Sequence, residues 1–308
     1  MHHFKRSIKG LSAILLSLAS IPAIAGEQLH IAFSQDTLGN DWRLAQIRQV
    51  EQELAKYPGV RFSVTDGLGD TALQIQHIED LALGDIDLLM TSPRTRAALT
   101  PTIQKVYRQG IPVVLVSRGI NSRDYTTFIH PDDRRIAETA TRYLIRQIHN
   151  KGHILMLEGI PGSSTSDLRT AGFLNIVKEY PEISYTRRVA NYLRADAILA
   201  MEDLLSSGIR IDAIFAQSDS MAEAARLVLS KHRINPKSIP SVGIDYIRSA
   251  REAIRRGEQS ASFTYPTGGA EGARIALKIL KGEAVPKEIV LESTMVTKDN
   301  VDQVEPIF

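Results

Sequence analysis

The sequence predicts an α/β protein made of two similar doubly wound parallel-sheet lobes, joined by a hinge of several strands. Short apolar segments alternate with amphipathic ones almost to the end of the 308-residue chain. The apolar segments are continuous rather than alternating with polar residues, which is typical of parallel strands covered by helices on both faces. The length suits two domains of about 150 residues, each large enough to bury its own core.

Ten short apolar segments are predicted to be strands. They cover residues 29–34, 61–65, 86–92, 111–117, 153–159, 183–191, 211–218, 241–245, 260–265 and 289–296. The helical patterns between them include residues 42–56, 137–148, 195–205 and 272–280. In the first of these, Leu44, Ile47 and Leu54 lie on one stripe.

A weak internal similarity in the sequence supports two similar lobes. The segment IDLLMTS at 86–92 resembles IDAIFAQS at 211–218, and each follows a helical pattern and a glycine. Similarity of this kind would also arise by chance between two apolar strands. No Pro-, Gly- or Ser-rich linker separates the halves, so the chain is expected to cross between lobes at strand ends, near 127–131 and 265–266.

These crossings divide the chain into three parts. Residues 1–25 form a predicted signal peptide. The N-terminal lobe is predicted to comprise residues 26–130 and 265–292, and the C-terminal lobe residues 131–264 and 293–308.

The first 25 residues have the pattern of a secretory signal peptide. Lys5, Arg6 and Lys9 precede a short apolar run at 11–24, which ends in an Ala-x-Ala site, so cleavage is expected after Ala25. The alternative is an N-terminal anchor helix, but the run is too short and too rich in serine to span a bilayer comfortably. The protein is therefore expected in the periplasm.

Cleavage would also change the charge of the protein. The full chain has 37 Lys and Arg against 35 Asp and Glu, a net charge of +2. Loss of three basic residues leaves 34 against 35, so no basic surface for nucleic acid or anionic membrane is expected. The chain has no Cys, which excludes disulfides and a lipid-attachment cysteine. A free, monomeric periplasmic protein is predicted.

Polar side chains follow the predicted strands, where ligands bind in open parallel sheets. Hydroxyls, carboxylates, an amide and arginines collect there, together with the indole of Trp42. This mixture suits a neutral, polyhydroxylated ligand, because planar polar groups bind vicinal hydroxyls and aromatic faces cover the C–H patches of a sugar ring.

Several short pieces of the chain occur in a characteristic order and spacing. They are Ile31-Ala32-Phe33 leading to Asn40-Asp41-Trp42-Arg43, Gly110–Val113 leading to Ser117-Arg118, Gly159–Gly162 leading to Arg169, the segment 211–219, Val242-Gly243-Ile244-Asp245, and Leu280–Glu283. In these pieces the chain resembles the ribose-type periplasmic binding proteins, particularly their galactofuranose-like branch, over residues 29–308. This resemblance implies the type I periplasmic binding protein fold and a sugar receptor of an ABC transporter.

The resemblance also implies a set of ligand-binding residues. By position they are Asp36, Asn40, Trp42, Arg43, Ser117, Arg118, Arg169, Tyr192, Ser218, Asp245 and Thr264. Two of them depart from the family pattern: Ser117 replaces the usual Asp, and Ser218 replaces the usual Asn. A furanose, a deoxy or substituted sugar, or a sugar-like signal fits these changes better than plain ribose.

Several of these residues have ordinary structural alternatives. Trp42 is also consistent with a half-buried packing residue, Arg118 and Arg169 with surface ion pairs, and Asp245 with a helix N-cap. Turn and cap chemistry explains Asp36 and Ser218 about equally well.

Other kinds of site are not favoured. The Gly67-Leu68-Gly69 turn lacks the following strand-end acid of a dinucleotide site, and His149 and His153 are separated by Gly152, which disfavours a metal site. We find no nucleophile–base pair, so no enzyme, cofactor or metal is expected. Two functions remain open: a sugar receptor that serves a membrane permease, and a co-receptor that regulates a membrane sensor kinase.

Overall fold

A computed structural model describes residues 28–308 as two α/β lobes, each built on a six-stranded sheet. The strands are β1 (Leu29–Gln35), β2 (Val60–Asp66), β3 (Leu88–Ser92), β4 (Val113–Val116), β5 (Thr127–Pro131), β6 (Gly152–Glu158), β7 (Ile183–Val189), β8 (Ala213–Ala216), β9 (Ser241–Val242), β10 (Ala261–Phe263), β11 (Glu288–Leu291) and β12 (Met295–Thr297).

Helices connect most successive strands. They are α1 (Asp41–Leu54), α2 (Thr71–Leu83), α3 (Arg96–Arg108), α4 (Asp133–Gln147), α5 (Ser164–Val177), α6 (Arg194–Ser206), α7 (Asp219–Lys231), α8 (Arg248–Arg256) and α9 (Gly269–Leu280). Each helix that follows a strand packs back on its sheet, which is the arrangement expected for parallel pairing.

The two sheets have the same strand order. The first runs β11-β5-β4-β3-β1-β2 and the second β12-β10-β9-β8-β6-β7. All the pairs are parallel except β10 with β12. Because β3 and β8 occupy the same place in their sheets, the sequence similarity between 86–92 and 211–218 corresponds to equivalent strands. We call the β1 sheet with its helices the first lobe, and the β6 sheet with its helices the second lobe.

The apolar residues of the strands face helices on both sides of each sheet. In the first lobe, one core contains Ile31, Phe33 and Met90, and the core on the opposite face contains Ala32 and Leu89. The second lobe likewise has a core on each face. Neighbouring strand residues thus point to opposite faces and are buried on both, as continuous apolar strands require.

The chain crosses between the lobes after β5, after β10, and between β11 and β12. The prediction of one strand over 289–296 is wrong, because this segment forms two short strands in different sheets. The hydroxyl of Ser293 donates to the carbonyl of Thr264 at 2.5 Å, and the amide of Thr294 donates to the Thr264 hydroxyl at 2.8 Å. These bonds fix the segment between β11 and β12 against the end of β10.

Polar caps set the turns that lead from strands to helices. The side chain of Asn40 accepts a bond from the amide of Arg43 and caps α1, and Ser218 caps α7. Such caps are favoured because the first amides of a helix have no partner inside it. Asp245 is not a cap, since α8 begins three residues later with Ile247 as its N-cap.

Across residues 28–308, no helix is long and apolar enough to cross a membrane. The predicted signal peptide at 1–25 lies outside the described residues.

Candidate ligand-binding cleft

A cavity lies between the lobes, at the carboxyl ends of both sheets. Its lining residues all follow a strand: Asn40, Trp42, Arg43, Ser117, Arg118, Thr165, Arg169, Tyr192, Ser218, Ser220, Asp245 and Tyr265. The two sheets therefore place polar and aromatic side chains from seven different strand ends around one space.

Nine of the eleven residues singled out from the sequence line this cavity, and Asp36 and Thr264 do not. Sequence reasoning missed Thr165, Ser220 and Tyr265. Thr165 and Ser220 lie in the first turns of α5 and α7, and Tyr265 lies just past β10. Their position after a strand was the available signal, but which face Thr165 and Ser220 present depends on the helix that contains them.

Asp36 lies behind the cavity wall, so the expectation that it faces the ligand is corrected. Its side chain is fully buried, with Arg43 Nε 3.0 Å and Arg118 Nη1 2.7 Å from its two oxygens. Arg94 approaches the second oxygen at 3.9 Å. Burial alone would raise the pKa of Asp36, but Arg118 and Arg43 hold it below its ordinary value. Asp36 is therefore an ionised anchor for two arginines of the lining.

Thr264 belongs to the hinge rather than to the cavity, which corrects its predicted role. It lines a separate groove next to Tyr265 and Pro266. Its hydroxyl and carbonyl are both engaged by the crossing segment between β11 and β12. Thr264 therefore binds the segment between β11 and β12, and it is not among the residues that line the cavity.

Two arginines and a serine dominate the wall of the first lobe. Arg43 Nη1 donates to Ser92 at 2.8 Å and to Ser117 at 3.1 Å. The side chains of Arg43 and Arg118 are each only 4% exposed. Burial, together with repulsion from Arg118, lowers the pKa of Arg43 to about 10. Arg43 remains charged at neutral pH, and both guanidinium groups present N–H donors to the cavity.

Arg169 forms the centre of the wall of the second lobe. Its Nε donates to Asp133 at 2.8 Å and its Nη1 donates to the carbonyl of Gln217. The guanidinium lies over the ring of Tyr265, 4.4 Å from its centroid. The Tyr265 hydroxyl donates to the other oxygen of Asp133 at 3.2 Å. Burial works against the charged form, but Asp133 and its neighbours raise the pKa of Arg169 above its ordinary value.

Asp245 reaches the cavity from a strained backbone. Its φ is +116° and that of the next residue, Tyr246, is +55°. Such angles are costly outside glycine and need support from the surrounding structure. Here Asp219 accepts the amide of Tyr246 at 2.7 Å, and the Tyr246 hydroxyl donates to carbonyls of 301 and 304.

The Asp245 carboxylate has no hydrogen-bond donor among residues 28–308 and faces the cavity. Burial raises the pKa of Asp245 well above its ordinary value, against the opposing effect of Arg169. The backbone that aims this acceptor inward is thus fixed by the protein, while its side chain is left for a ligand.

Aromatic rings close the cavity. Trp42 packs against Tyr265 with ring centroids 5.6 Å apart, and its indole donates to the carbonyl of Tyr265 at 3.2 Å. Tyr192 lies near the guanidinium groups of Arg118 and Arg169. Flat apolar faces beside fixed polar groups are the combination that sugar rings require, because a ring offers both hydroxyls and C–H surface.

The lobes touch each other around the cavity. The amide of Arg96 donates to the carbonyl of Gly162, and the amide of Gly119 donates to the Ser164 hydroxyl, both at 2.8 Å. At the rim, Arg194 lies 3.3 Å from Asp41. These contacts join residues of opposite lobes, so the structure describes a closed arrangement of the two. Residues 28–308 contain no group of three or more His, Cys, Asp or Glu residues that could hold a metal ion.

Comparison with known proteins agrees with this architecture. A family model described as a periplasmic binding protein domain matches residues 31–284. The ribose import binding protein of Bacillus subtilis is 27% identical over 290 residues, which cover 91% of this chain and 93% of that protein. The galactofuranose-binding protein of Escherichia coli is 24% identical over 304 residues, 95% of each chain.

Solved structures show the same fold. The fructose binding periplasmic domain of a hybrid two component system superposes with a TM-score of 0.84 at 28% identity. The match covers 89% of this chain and 92% of that one.

Proposed function

The chain belongs to the periplasmic binding protein family, and from this premise we propose that it is a receptor that closes on one small sugar and delivers it to an ABC transporter permease. As a member of that family it is a solute-binding protein and not an enzyme. The observation that carries the proposal is the cavity between the lobes. Its lining combines arginine guanidinium groups, the Asp245 carboxyl group and aromatic rings. The names of its relatives, which bind ribose or galactofuranose, support the same ligand class.

Closure of the lobes supports a receptor role. Arg43 and Arg118 come from one lobe, and Arg169 and Asp245 from the other, so a ligand that contacts all four holds the lobes together. A ligand shifts such an equilibrium only through contacts that the open form lacks. The closed face would then be presented to the membrane partner, and a monomer suffices for this.

The family implies an exported, periplasmic location. We propose that residues 1–25 direct this export and are removed after Ala25. N-terminal sequencing of the protein recovered from a periplasmic extract checks the cleavage site.

A second candidate function is a periplasmic co-receptor that regulates a membrane sensor kinase. It is favoured by the likeness to the periplasmic domain of a hybrid two component system. Reconstitution separates the two functions: sugar uptake into vesicles that carry a permease supports transport, and ligand-dependent autophosphorylation of a kinase supports sensing.

Titration with sugars should change the fluorescence of Trp42 and saturate at one ligand per chain. Trp42 is the only tryptophan in the chain and lines the cavity, so a bound ring alters its surroundings directly. The panel comprises ribose, arabinose, galactose, glucose, fructose, xylitol, myo-inositol and their sugar acids. Calorimetry repeats the titration, with Trp42→Phe as the variant whose fluorescence should not respond. If no member of the panel binds, neutral or acidic, the proposed function is wrong.

Ligand affinity should rise with pH through the raised pKa of Asp245. Only the ionised carboxylate accepts hydrogen bonds with both oxygens, and its population grows as the pH increases through that pKa. Asp245→Asn should remove the rise and weaken binding by roughly 1.5–3 kcal/mol at neutral pH, the usual worth of hydrogen bonds to a charged group. Calorimetry between pH 5 and pH 8 measures both effects, and an equal pH slope in the variant argues against this role.

A further inference from the structure

The wall of the first lobe has more positive charge than its own acid neutralises. Three arginines, Arg43, Arg94 and Arg118, lie within 3.9 Å or less of a single carboxylate, that of Asp36. Arg43 and Arg118 line the cavity and are almost completely buried. Buried charges in proteins are normally paired, because water no longer compensates them. This wall therefore lacks a negative partner.

Donor groups of the same two arginines also remain free. Arg43 uses Nε for Asp36 and Nη1 for Ser92 and Ser117, which leaves Nη2 without a partner among residues 28–308. Arg118 uses only Nη1, and its Nε is buried with no hydrogen-bond partner. The other polar side chains that bind Arg43 or line this wall, Asn40, Gln46, Ser92 and Ser117, are all neutral, so none of them supplies a negative charge.

The opposite wall has the reverse character. Arg169 is already paired with Asp133, so the acidic group without a partner there is Asp245. The cavity thus presents donors with positive charge from the first lobe and an acceptor from the second. On that side a neutral diol would find only acceptors that Arg43 already occupies, the side-chain oxygens of Asn40 and Ser117, whereas a carboxylate needs donors alone.

From this asymmetry we propose that the ligand is a sugar acid, bound with its carboxylate against Arg43 and Arg118 and its hydroxyls toward Asp245. This rests on the proposed function, and it names the ligand class of the same site. Planar guanidinium and carboxylate groups form paired, charge-assisted hydrogen bonds, which are stronger than those to a neutral hydroxyl. The neutral ligand expected from composition is thereby replaced by an anionic one.

Calorimetry with matched pairs tests the proposal: galactose against galacturonate, glucose against glucuronate, and ribose and arabinose against their aldonates. In every pair of which either member binds, the acid should bind at least about tenfold more tightly than its neutral parent, as expected for hydrogen bonds to charged rather than neutral groups. A neutral parent that binds as well as its acid overturns the inference and leaves the proposed function standing. If no pair binds while another neutral member of the panel does, the inference also fails and the proposed function stands. Absence of binding across the whole panel overturns both.

Ser117→Asp tests the same wall by adding a negative charge beside the two arginines. Ser117 has φ +62°, a conformation that Asp tolerates well, so the fold should accept the change. The new carboxylate would lie beside Arg43 Nη1, now 3.1 Å from the serine hydroxyl, and would occupy the free donors. The acid should then lose at least about tenfold in affinity, while the neutral parent loses less or gains.

Arg61→Gln is the matched control, because Arg61 is a half-exposed residue in β2 that pairs with Asp85 away from the cavity. It removes the same charge and should leave both affinities unchanged. Arg43→Gln should lower the preference for the acid. If Ser117→Asp and Arg43→Gln leave the ratio of the two affinities as it is in the parent protein, the carboxylate does not lie against this wall and the proposal fails.

Discussion

Arg169→Met is expected to destabilise the protein by roughly 3–5 kcal/mol and to abolish measurable ligand binding, because it leaves a buried carboxylate without its partner. Asp133, the carboxylate concerned, is 2% exposed. Arg169 also supports the ring of Tyr265 and binds the carbonyl of Gln217. Methionine keeps much of the apolar volume of arginine, so the loss reports the charge rather than a cavity. Urea unfolding and calorimetry measure the two effects.

The loss of stability caused by Arg169→Met should become smaller as the pH falls. Burial already raises the pKa of Asp133, and Arg169 is the main group that opposes this rise. Without Arg169 the pKa rises further, so at lower pH the isolated carboxyl takes up a proton and no longer carries a buried charge.

A double variant separates folding from binding in this case. Arg169→Met with Asp133→Leu replaces the buried pair by apolar groups and should recover most of the lost stability, whereas ligand binding should stay absent. Arg142→Met serves as the control, since Arg142 pairs with Glu179 on the surface with both side chains 43% exposed. Exposed pairs contribute about 0–1 kcal/mol. A stability loss in Arg169→Met no larger than in this control would contradict the assignment.

Gly159→Ala is expected to displace Tyr192 from the cavity. A Cβ at position 159 would lie 1.9 Å from Cζ of the Tyr192 ring, far inside van der Waals contact. The ring cannot retreat easily, because Asn191 and Tyr192 already have φ values of +50° and +63°. Overpacking of this kind costs about 1–3 kcal/mol. We expect that loss in urea unfolding, together with a clear fall in ligand affinity by calorimetry.

Gly59→Ala is the control for this change, because a Cβ there meets no atom within 4 Å. Combining Gly159→Ala with Tyr192→Ala removes the clash, so stability should return toward that of Tyr192→Ala alone while affinity stays low. Equal stability and affinity in Gly159→Ala and the parent protein would mean that Tyr192 lies elsewhere.

The lobes and most of the cleft could be predicted from the sequence because they depend on local patterns. Continuous apolar strands predict parallel sheets, and a residue just after such a strand lies at the carboxyl edge, as Asn40, Arg118 and Tyr192 do. The same reasoning assigned Asp36 to the ligand. Its actual partners, Arg43 and Arg118, are 7 and 82 positions away, and the pattern around Asp36 does not show which of its neighbours bind it.

The break in the strand predicted over 289–296 could not be predicted from the sequence, for a similar reason. The segment reads as one apolar run, and what divides it is the end of β10, some 30 residues earlier, which binds Ser293 and Thr294. Local apolar pattern identifies a strand but not the sheet that it joins. Likewise, the excess of positive charge on one wall appears only when three separate chain segments are brought together around Asp36.

The division of that last apolar segment also bears on the order in which the protein can be assembled. β11 forms an edge of the first sheet and β12 an edge of the second, yet the two strands are separated by only three residues near the C-terminus. During synthesis, five strands of each sheet therefore emerge before either edge is available. Both sheets therefore take their last strand from the same short stretch of chain, and neither sheet is complete until that stretch is in place.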